Sequence, residues 1–193
     1  GLFGGVRPVH VQQADVGEDA QFQVLVRMRD GQGVEQMARD FLPAAETSGL
    51  MPALDRWVME RSLALLQKRR AESKPMRLFV SQSPRTLAQD AYVGWLLHAL
   101  EQSSVEGTSL VVDIRLDDAL VHSMLLRQFC ERMVPAGVQF CLSQYRHGTD
   151  AEMLLQQLPL GYVRLAADFA HQPLPPELRD EMRGVIDRAH RLG

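Results

Sequence analysis

The stretch "FQVLVRMRDGQG", residues 22–33, decides how the chain is read. It is an apolar, β-branched run ending on a glycine turn, with two polar side chains, Gln23 and Arg27, set inside it. Side chains on a strand alternate with period two, so residues four apart share a face. That face is either a solvated edge or the floor of a site.

Working outward, similar short runs recur at "VRPVHV" (6–11), "RLFVSQS" (77–83), "LVVDIRL" (110–116), "VQFCLSQ" (138–144) and "YVRLAAD" (162–168). From residues 22–28 onward each is followed by a helix-like segment, at 53–72, 86–102, 118–133, 150–158 and 175–192. Pro52 and Ser83-Pro84 mark two helix starts, and Leu54, Trp57, Val58, Leu63 and Leu65 fall mainly on one side of the first helix. The repeat is that of a βα unit, which predicts a parallel sheet with both faces covered. Two architectures fit, the open doubly wound sheet and the (β/α)₈ barrel. With about six strands, a barrel would lack its last two units. Residues 29–52, the longest insertion, read as an elaborate loop at the C-terminal face, where both architectures place their sites. No linker-like or repeated segment divides residues 1–193, so one domain is expected.

Composition bounds the function. The 193 residues are 46% apolar and 23% charged, the make-up of an ordinary globular chain. The formal charge of −3 comes from 24 acids and 21 bases mixed along the chain, so there is no basic stripe to follow a nucleic acid. Cys130 and Cys141 lack ligand-like spacing and read as buried thiols in a reducing compartment. No apolar run reaches the roughly 18 residues that would span a bilayer. The chain opens at Gly1 without a leader-like segment, so a cytoplasmic protein, or a piece of one, is expected.

Near the strand ends stand Gln23, Arg27, Ser81, Asp113, Ser143, Gln144 and Arg164. Around one rim they would make a polar ring with a single carboxylate, a poor site for a divalent ion. The alternative is that they are polar residues near loops with no chemical use. There is no G-x-S-x-G elbow and no phosphate loop. His147, Asp150 and Glu152 could be imagined around a metal, but Thr149 or Asp150 as a helix N-cap, with Glu152 in the first turn, explains the same letters. His98 and His122 read as packing or surface residues, and "KRR" (68–70) as a solvated helix end favoured by the dipole.

At "QVLVR" and "DFLPAAETSGLMPALDRWVMERSL" the chain resembles the EAL family, the cyclic di-GMP phosphodiesterase barrels. The family's Glu-Ala-Leu-Leu-Arg lies over Gln23 to Arg27, its Phe-Ile-Pro-Leu-Ala-Glu over Phe41 to Glu46, and its Leu-Asp-Arg-Trp-Val over Leu54 to Val58. "FVSQSP", "LVVDIRL", "LSQYRHG" and "LPLGYVRLAADF" continue the likeness in order over nearly the whole chain. The resemblance selects the barrel, a TIM-type EAL fold that is incomplete at its C-terminus. It also implies that metal-holding positions are occupied by Gln23, Ser81, Asp113 and Ser143, the second Asp of the family's pair by Gln144, its Lys by Arg164 and a further Asp by Ala166. So few anionic ligands imply no metal, no required cofactor and no catalysis.

Among degenerate members the chain is similar to the FimX type, cyclic di-GMP receptors of type IV pilus control, at "VLVRMRDGQG" and "FLPAAETSGLMPALDRWV". The likeness implies nucleotide binding through Arg27 and Asp55, with Leu25, Phe41, Pro43, Glu46 and Ser81 as weaker candidates. For Asp55 the plain alternative is a helix N-terminal acid. The expectation is a catalytically inactive cyclic di-GMP receptor that signals to a protein partner, such as a PilZ-type or pilus-assembly protein. The alternative is an interaction module that has lost both catalysis and nucleotide. A partial barrel would leave sheet edges to be covered, by a homodimer or a partner.

Overall fold

The computed structural model describes residues 6–13, 21–29 and 31–166. In chain order the elements are β1 (Val6–Gln13), β2 (Gln21–Arg29), β3 (Glu35–Met37), α1 (Ala38–Thr47), α2 (Met51–Ala71), β4 (Arg77–Ser81), α3 (Pro84–Leu87), α4 (Asp90–Ser103), β5 (Leu110–Arg115), α5 (Leu116–Val121), α6 (Ser123–Met133), β6 (Gln139–Tyr145), α7 (Thr149–Gln157) and β7 (Tyr162–Leu165). They build the TIM-like α/β fold, one sheet in the order β1-β2-β4-β5-β6-β7 with β3 paired to β2. The helix expected at 175–192 lies outside the described residues.

From β2 to β7 the neighbours on the main path pair in parallel, as the βα alternation predicts. The first strand departs from that pattern, because β1 runs antiparallel to β2. Residues 14–20 are too few for the dozen or so a parallel crossover needs, so a hairpin is the available connection. The segment 29–52 is not one loop either. It holds β3, antiparallel to β2, and helix α1, whose first turn is tied by the Asp40 carboxylate accepting from the Met37 backbone N–H at 3.2 Å. Pro43 lies inside that helix, where proline removes one helical hydrogen bond.

The sheet's helix-side face carries the main core. Leu78, Val80, Leu110, Val112, Ile114, Phe140 and Leu142 are buried against α2 and α6. Met51, Leu54, Asp55, Val58, Met59, Ser62, Leu63 and Leu66 of α2 are all buried. That is an i, i+3, i+4, i+7 stripe, with Asp55 and Ser62 as polar members. Each large apolar side chain taken from water contributes about 1.5–3 kcal/mol. The opposite face holds a smaller apolar group, Phe79, Val111 and Cys141 with Tyr162 against them. Phe79 and Tyr162 meet edge to face with centroids 4.9 Å apart. Their strands are three spacings apart, about 14 Å in a flat sheet. The sheet is therefore rolled toward this inner face.

Two expected helices are broken. The segment 86–102 divides into α3 and α4, and 118–133 into α5 and α6 at His122. The second break leaves Val121 and Met124 each 76% exposed. At the N-terminal end of the sheet the loops before β5 and β6 meet backbone to backbone: a Cβ on Gly107 would stand 1.8 Å from the Ala136 carbonyl oxygen. Gly107→Ala should therefore cost about 1–3 kcal/mol. A thermal melt should show Tm lowered by several degrees, and an unchanged Tm would mean that these loops do not pack together.

Candidate functional site

The strand registers sort the candidate residues by face. Ser81 pairs with Asp113, Asp113 with Cys141, Cys141 with Tyr162, and Arg115 with Ser143. Gln23 pairs with Phe79. With alternation along each strand, Gln23, Leu25, Ser81, Asp113, Ser143 and Arg164 belong to the inner face, toward the C-terminal strand ends. Arg27 stands at the same parity in β2, its backbone paired to Arg7 and Met37. Gln23 thus lies on the inner face rather than in the helix-side core.

Gln144 is an exception. Its φ of +55° is left-handed, a region that costs a residue with a Cβ roughly 1–2 kcal/mol, and the β6–β7 register shifts between Leu142 and Tyr145. The irregularity leaves Gln144 exposed and puts Tyr145, with no exposed surface, into the helix-side core. Ala166 is buried at the end of β7, where its N–H donates to the Tyr145 carbonyl.

At the centre of the inner face is an ion pair. The Asp113 side chain has no exposed surface, and its Oδ2 accepts from Nη2 of Arg164, whose side chain is 37% exposed. Asp113 Oδ1 has no hydrogen-bond partner. Burial pushes the Asp113 carboxyl up, while Arg164, the Ser143 hydroxyl and Arg115 pull it back. Cys141, between the two partners, has its thiol pushed up to about 12 by burial first and by Asp113 second. The Asp113 carboxylate, the Arg164 guanidinium and nearby Arg115 are the charged groups here, and Ser81 and Ser143 beside Asp113 are neutral. That donor set does not fit a pair of divalent ions, which take several anionic oxygens. Among the described residues no group of three or more His, Cys, Asp or Glu could hold a metal. Around His147, Asp150 and Glu152 the helix reading fits, with α7 starting at Thr149 and Asp150 and Glu152 in its first turn; the N-cap falls on Gly148 rather than on Thr149 or Asp150.

Asp55 lies beside this face in a second polar centre. It is 4% exposed, and its Oδ2 accepts from the Ser83 backbone N–H (2.9 Å), the Ser83 hydroxyl (2.7 Å) and the Thr86 hydroxyl (2.5 Å). A carboxylate on α2 thereby caps α3 from another element, where Ser83 makes no cap of its own. Gln82 extends the network, donating to the Asp55 and Ser81 carbonyls and accepting from the Tyr92 hydroxyl. Burial raises the Asp55 carboxyl and these donors lower it. Sequence reading missed Gln82, Ser83, Thr86 and Tyr92; the signal available was the Ser-Pro-x-Thr spacing at a helix start.

The remaining candidates scatter. Leu25 is half-buried and Ser81 exposed, both toward the C-terminal end of the inner face. Phe41 is buried in the core, while Pro43 and Glu46 are exposed, and all three sit on α1 rather than in a loop. Glu46 accepts Arg85 at its carbonyl and lies close enough to Asp55 to raise its carboxyl slightly.

The amino-acid sequence matches a known family over residues 9–193, the EAL domain. The chain belongs to the EAL family. Its sequence is 28% identical over 181 residues to the cyclic di-GMP phosphodiesterase NbdA of Pseudomonas aeruginosa, covering 91% of this chain and 23% of NbdA. With the cyclic di-GMP phosphodiesterase PdeF of Escherichia coli it shares 22% over 152 residues, 78% of this chain and 20% of PdeF. The chain thus spans about a fifth of the length of these curated relatives. In structure it is similar to the FimX EAL domain of Pseudomonas aeruginosa bound to cyclic di-GMP, with TM-score 0.84 and 25% identity over 94% of this chain and 73% of that one. The Xanthomonas citri FimX EAL domain shares the fold at TM-score 0.83 and 20% identity, over 90% of this chain and 68% of that one. No helix among the described residues is long and apolar enough to cross a membrane.

The Asp55 cap makes a stability prediction. Asp55→Ala leaves three donors without their charged acceptor and should cost about 2–3 kcal/mol, read as a lower urea midpoint. Asp55→Asn keeps one acceptor oxygen and should cost less. Equal midpoints for wild type and Asp55→Ala would show that the cap contributes nothing.

Proposed function

We propose that this EAL chain is a cyclic di-GMP receptor that does not hydrolyse its ligand and signals through protein contact, in type IV pilus or motility control. The observation that carries the reading is the inner-face pair: Asp113, the buried carboxylate of the inner face, is engaged by Arg164, and Ser81 and Ser143 beside it, like Gln23 on the same face, are neutral. Hydrolysis in this fold needs water activated by metals on anionic oxygens, whereas binding needs donors for the phosphates and acceptors for the guanines. The likeness to a FimX EAL domain solved with cyclic di-GMP supports the binding half.

In this reading Arg27 meets a phosphate, its planar fork suited to paired oxygens, and Asp55 meets a guanine N–H through Oδ1, since its Oδ2 is occupied. Leu25 and Ser81 line the mouth, with Pro43 and Glu46 at its rim and Phe41 supporting α1 from the core. The protein partner belongs to the PilZ or pilus-assembly class, the chain works in the cytoplasm, and residues 1–193 act as one degenerate EAL domain.

Isothermal titration with cyclic di-GMP tests the reading. Saturable binding is expected, equal in magnesium and in EDTA, and Arg27→Ala should weaken it roughly ten- to a hundredfold, the loss of one charged hydrogen bond. Equal affinity in Arg27→Ala would move the pocket elsewhere. No binding by the intact chain would favour the interaction module, for which the exposed Leu120, Val121 and Met124 offer an apolar surface.

Incubation of cyclic di-GMP with the chain in magnesium or manganese should give no linear product by chromatography. Turnover that Asp113→Asn abolishes would overturn the inactive assignment.

A further inference from the structure

We infer that Arg164 is the resident cation of the inner face: its guanidinium fills the electrostatic place of a divalent ion beside Asp113, so the site is assembled without metal. The inference goes beyond nucleotide binding and does not depend on it. A carboxylate with no exposed side-chain surface, such as Asp113, costs several kcal/mol to bury unless a cation balances it. That cation is either an ion held by several oxygens or a side chain. Among the described residues the first choice lacks donors, because Ser81 and Ser143 beside Asp113 are neutral.

The second choice is in place. Arg164 on β7 reaches across β6 to Asp113 on β5, two strand spacings or about 10 Å away, and Cys141, in register with Asp113, lies beneath that path. Only a long side chain makes that crossing, and a guanidinium stays charged throughout. The pair is one-sided: Arg164 engages Oδ2, and Oδ1 has no partner. A metal at Asp113 would have to compete with the guanidinium for the same carboxylate. Removing Arg164 while adding a second carboxylate should therefore turn the site from one cation to the other.

The test is manganese titration followed by electron paramagnetic resonance, on wild type, Ser143→Asp, and Ser143→Asp combined with Arg164→Met. Wild type and Ser143→Asp should show no saturable binding up to about millimolar ion, while the combined variant binds at least tenfold more tightly than Ser143→Asp alone. If the combined variant is poorly folded without metal, added manganese should raise its Tm. In parallel, Arg164→Met should lower Tm by about 10 °C, as for a buried charge left alone, and Asp113→Asn with Arg164→Met should recover at least half of that loss. Saturable manganese binding by wild type that Asp113→Asn removes would overturn the inference. So would a combined variant that binds manganese no better than Ser143→Asp, an Arg164→Met chain that melts like wild type, or a double variant no more stable than Arg164→Met. None of these readouts involves cyclic di-GMP, so a failed nucleotide titration leaves them intact.

Discussion

Phe79 and Tyr162 sit on strands with two others between them, and their rings touch because the sheet rolls. That curvature is the constraint on which the site depends. A flat sheet would leave Arg164 and Asp113 facing solvent on separate strands. The roll gathers the inner-face residues over a small floor of apolar contacts, shields Asp113 from water and strengthens its pairing. Its opposite face buries the larger apolar core against the helices, and this burial supplies the free energy that holds the curvature.

The rim of the roll is stiffened by polar bonds rather than by packing. Asp55 ties α2 to the start of α3, Gln82 ties that junction to the end of β4 and to Tyr92 on α4, and Ser81 at the mouth is positioned by the result. Burial raises the Tyr92 hydroxyl, so it stays a neutral donor to Gln82. A buried network of this kind specifies one arrangement, because every misplacement leaves a polar group unpaired. The same residues thus hold the junction at the end of β4, and any loss of binding measured in an Asp55 variant has to be read against its stability.

The two polar centres divide the work of the face. The Asp113–Arg164 pair balances charge inside the roll, and the Asp55 network fixes where the β4 end stands. Each of their carboxylates has one oxygen, Oδ2, engaged by the protein's own donors. This is the physical form that loss of catalysis with retention of binding would take in an EAL fold.

Much of this was determined by the sequence alone. The spacing of β-branched runs and amphipathic segments predicts the βα alternation, and the motif order over residues 23–58 and 79–169 carries the family, because period and chain order are local properties. Parity along "QVLVR" already put Gln23 and Arg27 on one face. Other features were decided only by the tertiary structure. Arg164 is 51 residues from Asp113 and Ser83 is 28 from Asp55, and nothing local joins such pairs until the sheet curls and α2 packs on it. The helix at α1 forms despite Pro43, its first turn held by Asp40 and its Phe41 held by the core. The breaks at Gln89 and His122 follow from where the rolled sheet lets helices lie. Local propensity supplies the elements, but the partners of a buried charge are chosen by the packing that buries it.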